Sequence, residues 1–350
     1  MYRHLIIINP LGLMYGSAGA FLSPENLVGI SGAKFPPDAT TLSGLFFSAN
    51  KINKFQEHEE LRDNLYLAGP FWAEIDNPEY FYIPIPWTKI INQDEKQVAE
   101  WTIQESKWYR PEQTKDLEPD CRWQTVNSWE DTADVIRRNF DAAKNPWEYV
   151  PMLHPRLKDN QRNVEDENGL FLENTVQMGF HLRNGEPKDT CLVYLSTYAL
   201  PDGWYCFGGE NHLVEITSIP LLDDSPIIKL LQQKIHRSFA LITPGIWGST
   251  HYSYRYPQHP DFPKPTHILT DRPSPYRYRV GDRKGRGRLG RGRYAVPPGT
   301  VYILDEPLNK TWWGNKEEAG FPDEWFPKEG FGLKKVGCGL CLPITIEGVD

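Results

Sequence analysis

Apolar residues in this chain follow two spacings, and the change from one to the other marks out its elements. The opening run HLIIIN is short, continuous and followed by NPLG, which predicts a first strand. From about Asp38 the spacing becomes helical: Leu42, Leu45, Phe46, Ala49 and Ile52 share one face. A second helix is expected in SWEDTADVIRRNFDAA, with Ser128 as N-cap, Asp131 at the third helical position, and Ala133, Ile136 and Phe140 turned inward. A third follows in SPIIKLLQQKI, where Ser225 caps, Pro226 sits in the first turn, and Ile228, Leu231 and Ile235 form the inner face.

Strands are expected between these helices, in NLYLAGPFWAEI, YFYIPIP, GLFLENTVQMGFHL, TCLVYLSTYAL, NHLVEITSI, SFALITPGIW, TVYIL and CGLCLPITI. Strand, helix, strand, strand, helix is the opening of a β-α-β-β-α-β unit. The second half, around the Ser225 helix, reads as a looser copy. The predicted class is α+β: two ferredoxin-like, RNA-recognition-motif-like domains with long loop insertions, the second degenerate. They divide as residues 1–150 and 151–350. The long segments from Trp87 to Asn127 and from Trp247 to Asp271 are expected to be loops.

Composition is consistent with that picture. With 350 residues, 39% of them hydrophobic, the chain can bury a sizeable core, and thirty prolines favour stiffened connections over long helices. No run approaches the roughly 20 apolar residues of a membrane helix, and the opening lacks a small-residue cleavage site, so a soluble cytoplasmic protein without membrane contact is expected. Five scattered cysteines fit a reducing compartment, and the lone CxxC at Cys338 and Cys341 has no second cysteine pair to complete a zinc site. Neither a metal nor an organic cofactor is expected.

Charge changes the picture more. Residues 277–293, RYRVGDRKGRGRLGRGR, hold eight basic side chains, five glycines and one acid. That makes the stretch +7; taken from the chain total of −8, it leaves −15 on the rest. A local cationic run on an acidic body suits one track for a polyanion, with Arg283, Arg286 and Arg288 as its centre, and the glycines let backbone approach phosphate closely. By composition alone a solvated loop remains an equal reading.

Three other places can meet a phosphate chain. Thr40 and Thr41 stand in the first turn of the first helix, where free amides and hydroxyls can hold an anion or merely cap the helix. Gly208 and Gly209, in FGGENHLVEI, can expose a row of amides or form an ordinary hairpin turn, with His212 just beyond. Arg156, Lys158 and Arg162 lie in HPRLKDNQRNVEDENGLF, a basic hairpin tip that can grip a single strand. The histidines never form HxH or HxxxH, and no Walker A loop, GxSxG elbow or Rossmann fingerprint is present. His212 or His251 could act as a general base, although a lone histidine is more often structural.

Taken in order, FPPDATTLSG, LYLAGPFW with YIPIP, HPRLKDNQRNVEDENGLF, FGGENHLVEI, ALITPGIW, RYAVPPGTVYIL and GFGLKKVGCGLCLPI resemble a known family. It is the RAMP proteins of type III CRISPR effector complexes, in particular the group at the position of subunit three of the type III-B Cmr complex. The resemblance implies two RAMP domains and a non-catalytic, antiviral role. It implies binding of the 5′ handle of the crRNA, and pairing with a large Cas-ten-type subunit and a Cas-seven-type backbone subunit instead of homo-oligomer formation. It assigns handle contacts to Thr40, Thr41, Arg156, Arg162, Gly208 and Gly209. Phe46 and Phe47 depart from the arginine or small residues often found after TLSG, and the Arg-Gly run is longer than the pattern requires. The rival expectation is a metal-independent endoribonuclease that processes CRISPR precursor RNA with His212 or His251 as base.

Overall fold

The computed structural model describes residues 1–15, 35–155, 158, 163–164, 170–208, 211–249, 251–280, 288–314, 320–328 and 331–349. Along the chain come β1 (His4–Pro10), α1 (Ala39–Asn53), α2 (His58–Asn64), β2 (Leu67–Glu74), α3 (Ala133–Arg138), β3 (Glu186–Ser196) and β4 (His212–Pro220). They are followed by α4 (Pro226–Gln232), β5 (Ser238–Leu241), β6 (Pro265–Leu269), β7 (Val301–Leu304) and β8 (Cys341–Pro343). The class is α+β with antiparallel sheets.

In the larger sheet β1 lies between β3 and β4 and is antiparallel to both, pairing Ile6 with Tyr194 on one side and with Ser218 on the other. Outside β3 lies β2, again antiparallel, with Leu192 opposite Trp72. It follows that β1 and β2 run parallel with β3 inserted between them, and α1 and α2 make the crossover. Leu5, Ile6 and Ile8 are all buried, as are residues 191–196 of β3, which explains why both strands read as continuous apolar runs. Each such side chain stabilises the fold by about 1.5–3 kcal/mol. Short strands lengthen both edges: Gly203–Phe207 beyond β4, and Tyr82–Pro84, Trp123–Thr125 and Ala142–Ala143 beyond β2.

The second sheet repeats the strand order. There β5 lies between β7 and β8, β6 lies outside β7, and all neighbours are antiparallel. The crossover is different: among the described residues no helix joins β5 to β6, and only 3-10 turns at Asp323–Trp325 and Leu333–Val336 lie between β7 and β8. The two sheets share one core that runs from Tyr2 to Ile346. One glycine sets their approach and a second seats the Trp247 ring. Gly337 has φ 72, and a Cβ there would stand 2.6 Å from Ala68 Cα on β2. At Gly339, φ 68, a Cβ would meet the Trp247 ring at 2.3 Å. Strands β3 and β4, from beyond residue 150, hydrogen-bond to β1, so the division expected after Val150 runs through this sheet and inside the strand Trp147–Pro155.

Some expected helix details are corrected. Inward-facing Leu42, Leu45, Phe46 and Ala49 are as the spacing predicts, but Ile52, in the last turn of α1, is 79% exposed. The second helix does not start at Ser128: that hydroxyl donates to Thr125 O within a 3-10 turn, 2.9 Å away, and α3 begins at Ala133. Phe140 lies past its end at φ 58, exposed instead of inward. Ile235 is buried as expected but lies beyond α4, bridged to Lys310.

Candidate nucleic-acid interface

The Arg-Gly segment forms a two-stranded antiparallel ribbon. At its base Ser274–Tyr276 pairs with Arg293–Ala295; farther out Arg279–Val280 pairs with Arg288–Leu289. Ring packing roots it, because Tyr276 and Tyr278 are both buried and contact each other, and Tyr278 also meets Phe331. Not every basic residue of the run faces solvent. Arg293 is only 4% exposed and donates from Nη1 to Ser249 O at 2.7 Å, while Arg277 donates from Nε to Gly290 O at 2.9 Å across the ribbon. These two guanidinium groups hold the ribbon's shape.

Burial, then the Cys338 thiol, then the Asp38 carboxylate push the Tyr276 phenol well above its ordinary value. Asp38 is the N-cap of α1 without a side-chain cap hydrogen bond, and its carbonyl accepts from Thr41 N at 2.8 Å. Thr40 and Thr41 are half-buried in the first turn. Tyr194 on β3 fixes the approach by donating to Pro37 O at 2.6 Å. On its other flank α1 lies against the strand Gly203–Phe207, whose turn carries exposed Gly208 at φ 79. The lysines of GFGLKKVGCG serve the fold: Lys334 is buried and donates to Phe321 O, and Lys335 Nζ donates to Arg62 O and Asp63 O at 2.8 and 2.9 Å.

Thr40 and Thr41 thus lie in the first turn of α1, and Gly208 follows a strand that α1 contacts. His212, half-buried at the start of β4, pairs with Phe207 across the same turn. Lys158 is half-buried, with its backbone N–H donating to Asn163 O at 2.9 Å. Arg288 lies in the outer strand of the ribbon. Arg156, Arg162, Gly209, Arg283 and Arg286 fall outside the described residues. His251, the other candidate base, is exposed and accepts at Nδ1 from Arg291 Nη1 at 3.1 Å. A cavity of about 440 Å³ lies elsewhere, lined by Trp87, Trp101, Trp123, Arg110 and Arg122; none of the candidate residues lines it. All five cysteines are free, and among the described residues no helix is long and apolar enough to cross a membrane.

Sequence reasoning missed the aromatic residues beside the ribbon. Tyr252, Tyr254 and Tyr294 are 67%, 37% and 60% exposed. The signal was present in HYSYRY, where alternating tyrosines in a strand share a face.

Fold and site together define an antiparallel α+β protein with a projecting basic ribbon. No family model matches the sequence, and no curated protein matches it. Among solved structures it is similar to a chain of the type III-B Cmr-beta complex bound to cognate target RNA, at 12% identity, over 85% of this chain and 86% of that one, TM-score 0.45. With AMPPnP also bound, in state 1, the corresponding values are 13%, 85%, 86% and 0.43. It is also similar to a chain of the Csm3-Csm4 subcomplex of a type III-A CRISPR-Cas interference complex, at 11% identity, over 87% and 94% of the two chains, TM-score 0.38.

Proposed function

We propose that this chain is a subunit of a type III CRISPR-Cas effector complex of the Cmr kind, and that it holds the 5′ handle of the crRNA without cutting it. The observation that carries the reading is the two-stranded Arg-Gly ribbon, eight basic side chains and one acid within residues 277–293 of an otherwise acidic chain. Single-stranded RNA carries one phosphate charge per nucleotide, so cationic side chains on a narrow ribbon can follow its backbone while amides near Thr40, Thr41 and Gly208 hold its end. The ordered motifs from FPPDATTLSG to GFGLKKVGCG support the family assignment. We read the two sheets, with their repeated strand order, as two ferredoxin-like RAMP units, residues 1–220 and 226–349, the second lacking the first helix.

Protein partners in this reading are a large Cas-ten-type subunit and a Cas-seven-type backbone subunit, met in the cytoplasm. A surface suited to them is the hairpin of Trp147–Pro155 with Leu170–Met178, where exposed Leu153 stands opposite exposed Leu172 and Pro155 opposite Leu170. Co-expression with the genomic neighbours tests the assignment: the chain should leave the column with a large subunit and a short RNA. Recovery of the chain alone, with no RNA, would overturn it. Incubation with a repeat-containing RNA in EDTA tests the absence of cleavage. Specific cutting that is lost in His251→Ala or His212→Ala would replace the non-catalytic reading with the endoribonuclease.

A further inference from the structure

Beside the ribbon, the short hairpin of Trp247–Gly248 with Ser253–Tyr254 turns two tyrosines outward. Tyr252, just before the strand, and Tyr254, on it, stand side by side: their ring planes differ by 21° and their centroids are 6.5 Å apart. The hairpin is tightly specified, because Gly248 has φ 109 and a Cβ there would lie 2.3 Å from Tyr252 O. Its strands are tied to the ribbon. Arg293 Nη1 donates to Ser249 O, Tyr294 N donates to Ser253 Oγ at 3.1 Å, and Arg291 Nη1 donates to His251 Nδ1. On the far side, Tyr302 of β7 donates to Arg255 O at 2.5 Å. Tyr294, exposed on the ribbon's return strand between buried Arg293 and Ala295, adds a third outward ring.

A lone exposed tyrosine requires no explanation. Here the segment that carries two near-parallel rings is held by four hydrogen bonds to neighbouring strands, through Ser249, His251, Ser253 and Arg255, next to a ribbon rich in arginine. A membrane surface or an apolar protein face would favour leucine, isoleucine or phenylalanine with few flanking charges. Rigid aromatic faces alternating with cations suit unpaired nucleobases, each of which offers a π-face while its phosphate meets an arginine.

We infer that Tyr252 and Tyr254, with Tyr294 beside them, form a stacking platform for bases of the single-stranded RNA whose backbone the Arg-Gly ribbon grips. This rests on the RNA-holding role proposed above. Arginines on the ribbon contribute the salt-dependent, base-independent part of affinity, and the tyrosines contribute a part that needs bases and is indifferent to salt.

The test uses the full-length chain, a short unstructured RNA, and an abasic ribose-phosphate chain of the same length. The parent should bind the base-bearing strand more tightly. In Tyr252→Ala/Tyr254→Ala, affinity for the RNA should fall by about 10-fold or more, with the slope of log K against log salt unchanged and affinity for the abasic chain unchanged. Tyr252→Phe/Tyr254→Phe keeps the rings and should bind like the parent. Parental affinity of the double alanine variant for RNA overturns the platform, as does an equal loss on both strands, which would mark a structural role. If only protein subunits are lost from the variant's complexes while RNA binding persists, the rings face protein and the platform is wrong. Failure of the underlying reading looks different: the parent then shows no salt-dependent binding to either strand, and role and platform fall together.

Discussion

Two antiparallel ribbons leave the body of this protein, and they are built from opposite chemistries. The hairpin of Trp147–Pro155 with Leu170–Met178 presents Leu153, Leu170 and Leu172 at 58–60% exposure. In the ribbon of residues 274–295, whose sequence is rich in arginine and glycine, Tyr276 and Tyr278 are buried at the root while Leu289 and Tyr294 are exposed. Their roots differ as well. Arg277 and Arg293 brace the basic ribbon. Strand Phe180–Arg183, which follows the apolar hairpin, leads instead into a partly buried cluster of Glu74, Tyr82, Asp141, His181 and Arg183. One backbone device thus carries two surfaces of different chemistry, to which the proposed function gives RNA on one side and protein on the other.

The largest expected effect breaks the basic side. Arg283→Ala, Arg286→Ala and Arg288→Ala together should weaken binding to short single-stranded RNA by roughly 100-fold at low salt and reduce the salt slope by about 2, as measured by fluorescence anisotropy over a salt series. Next comes the apolar side. Leu153→Asp with Leu172→Asp should leave RNA affinity and salt slope at parental values and reduce recovery of protein subunits in pull-downs by about 10-fold. If these two variants produced the same defect, the division of labour would be lost.

Smaller effects sharpen the contrast at the roots. Arg293→Ala removes a buried guanidinium bonded to Ser249 O and should cost about 1–3 kcal/mol by urea unfolding, while leaving the salt slope unchanged, since that charge does not face RNA. The smallest effect is a pH response confined to the hairpin's root. His181 is pushed down to about 4 by burial and then by the Arg183 charge, below its ordinary 6.5. Above pH 6.5 both states are neutral and the group contributes nothing. Between 6.5 and 4 only the unfolded chain takes the proton, so stability falls across that window. Asp141 opposes this in part: burial raises its pKa, so it gains its proton earlier in the folded state and favours the fold at the acid end. Hydrogen exchange at pH 7 and pH 5 should show opening around residues 180–183 at the lower pH, with the ribbon root at 274–276 unaffected; His181→Phe should flatten the response.

Much of the framework was legible because it depends on local pattern. The HLIIIN run, the α1 face of Leu42, Leu45, Phe46 and Ala49, and the Ser225–Pro226 start of α4 all lie where their spacing puts them. α2 was missed because HEELRDN offers a single buried residue, Leu61, and so no periodicity. Trp147–Pro155 was missed because Pro151 and Pro155 interrupt a strand that is exposed on both faces. The segment from Trp87 to Asn127, expected as loop, holds two short hairpins, Lys89–Asn92 with Gln97–Glu100 and Thr102–Gln104 with Lys107–Tyr109, too brief to leave a period-two signal. Pairing order was out of reach: nothing local tells Ile6 that Tyr194 will be its neighbour. The same holds at the site, where charge density marked the ribbon, but only the fold shows that Arg277 and Arg293 are braces and that Tyr252 and Tyr254 stand beside it.

Site-resolved photo-crosslinking of the assembled complex tests the central claim most directly, with a photoreactive nucleotide placed in turn at the 5′ end and the 3′ end of the bound guide RNA. The account predicts crosslinks from the 5′ position to residues 274–295 and to the Tyr252–Tyr254 hairpin, and none from the 3′ position. Crosslinks from the 3′ position, or 5′ crosslinks confined to other subunits, would contradict it.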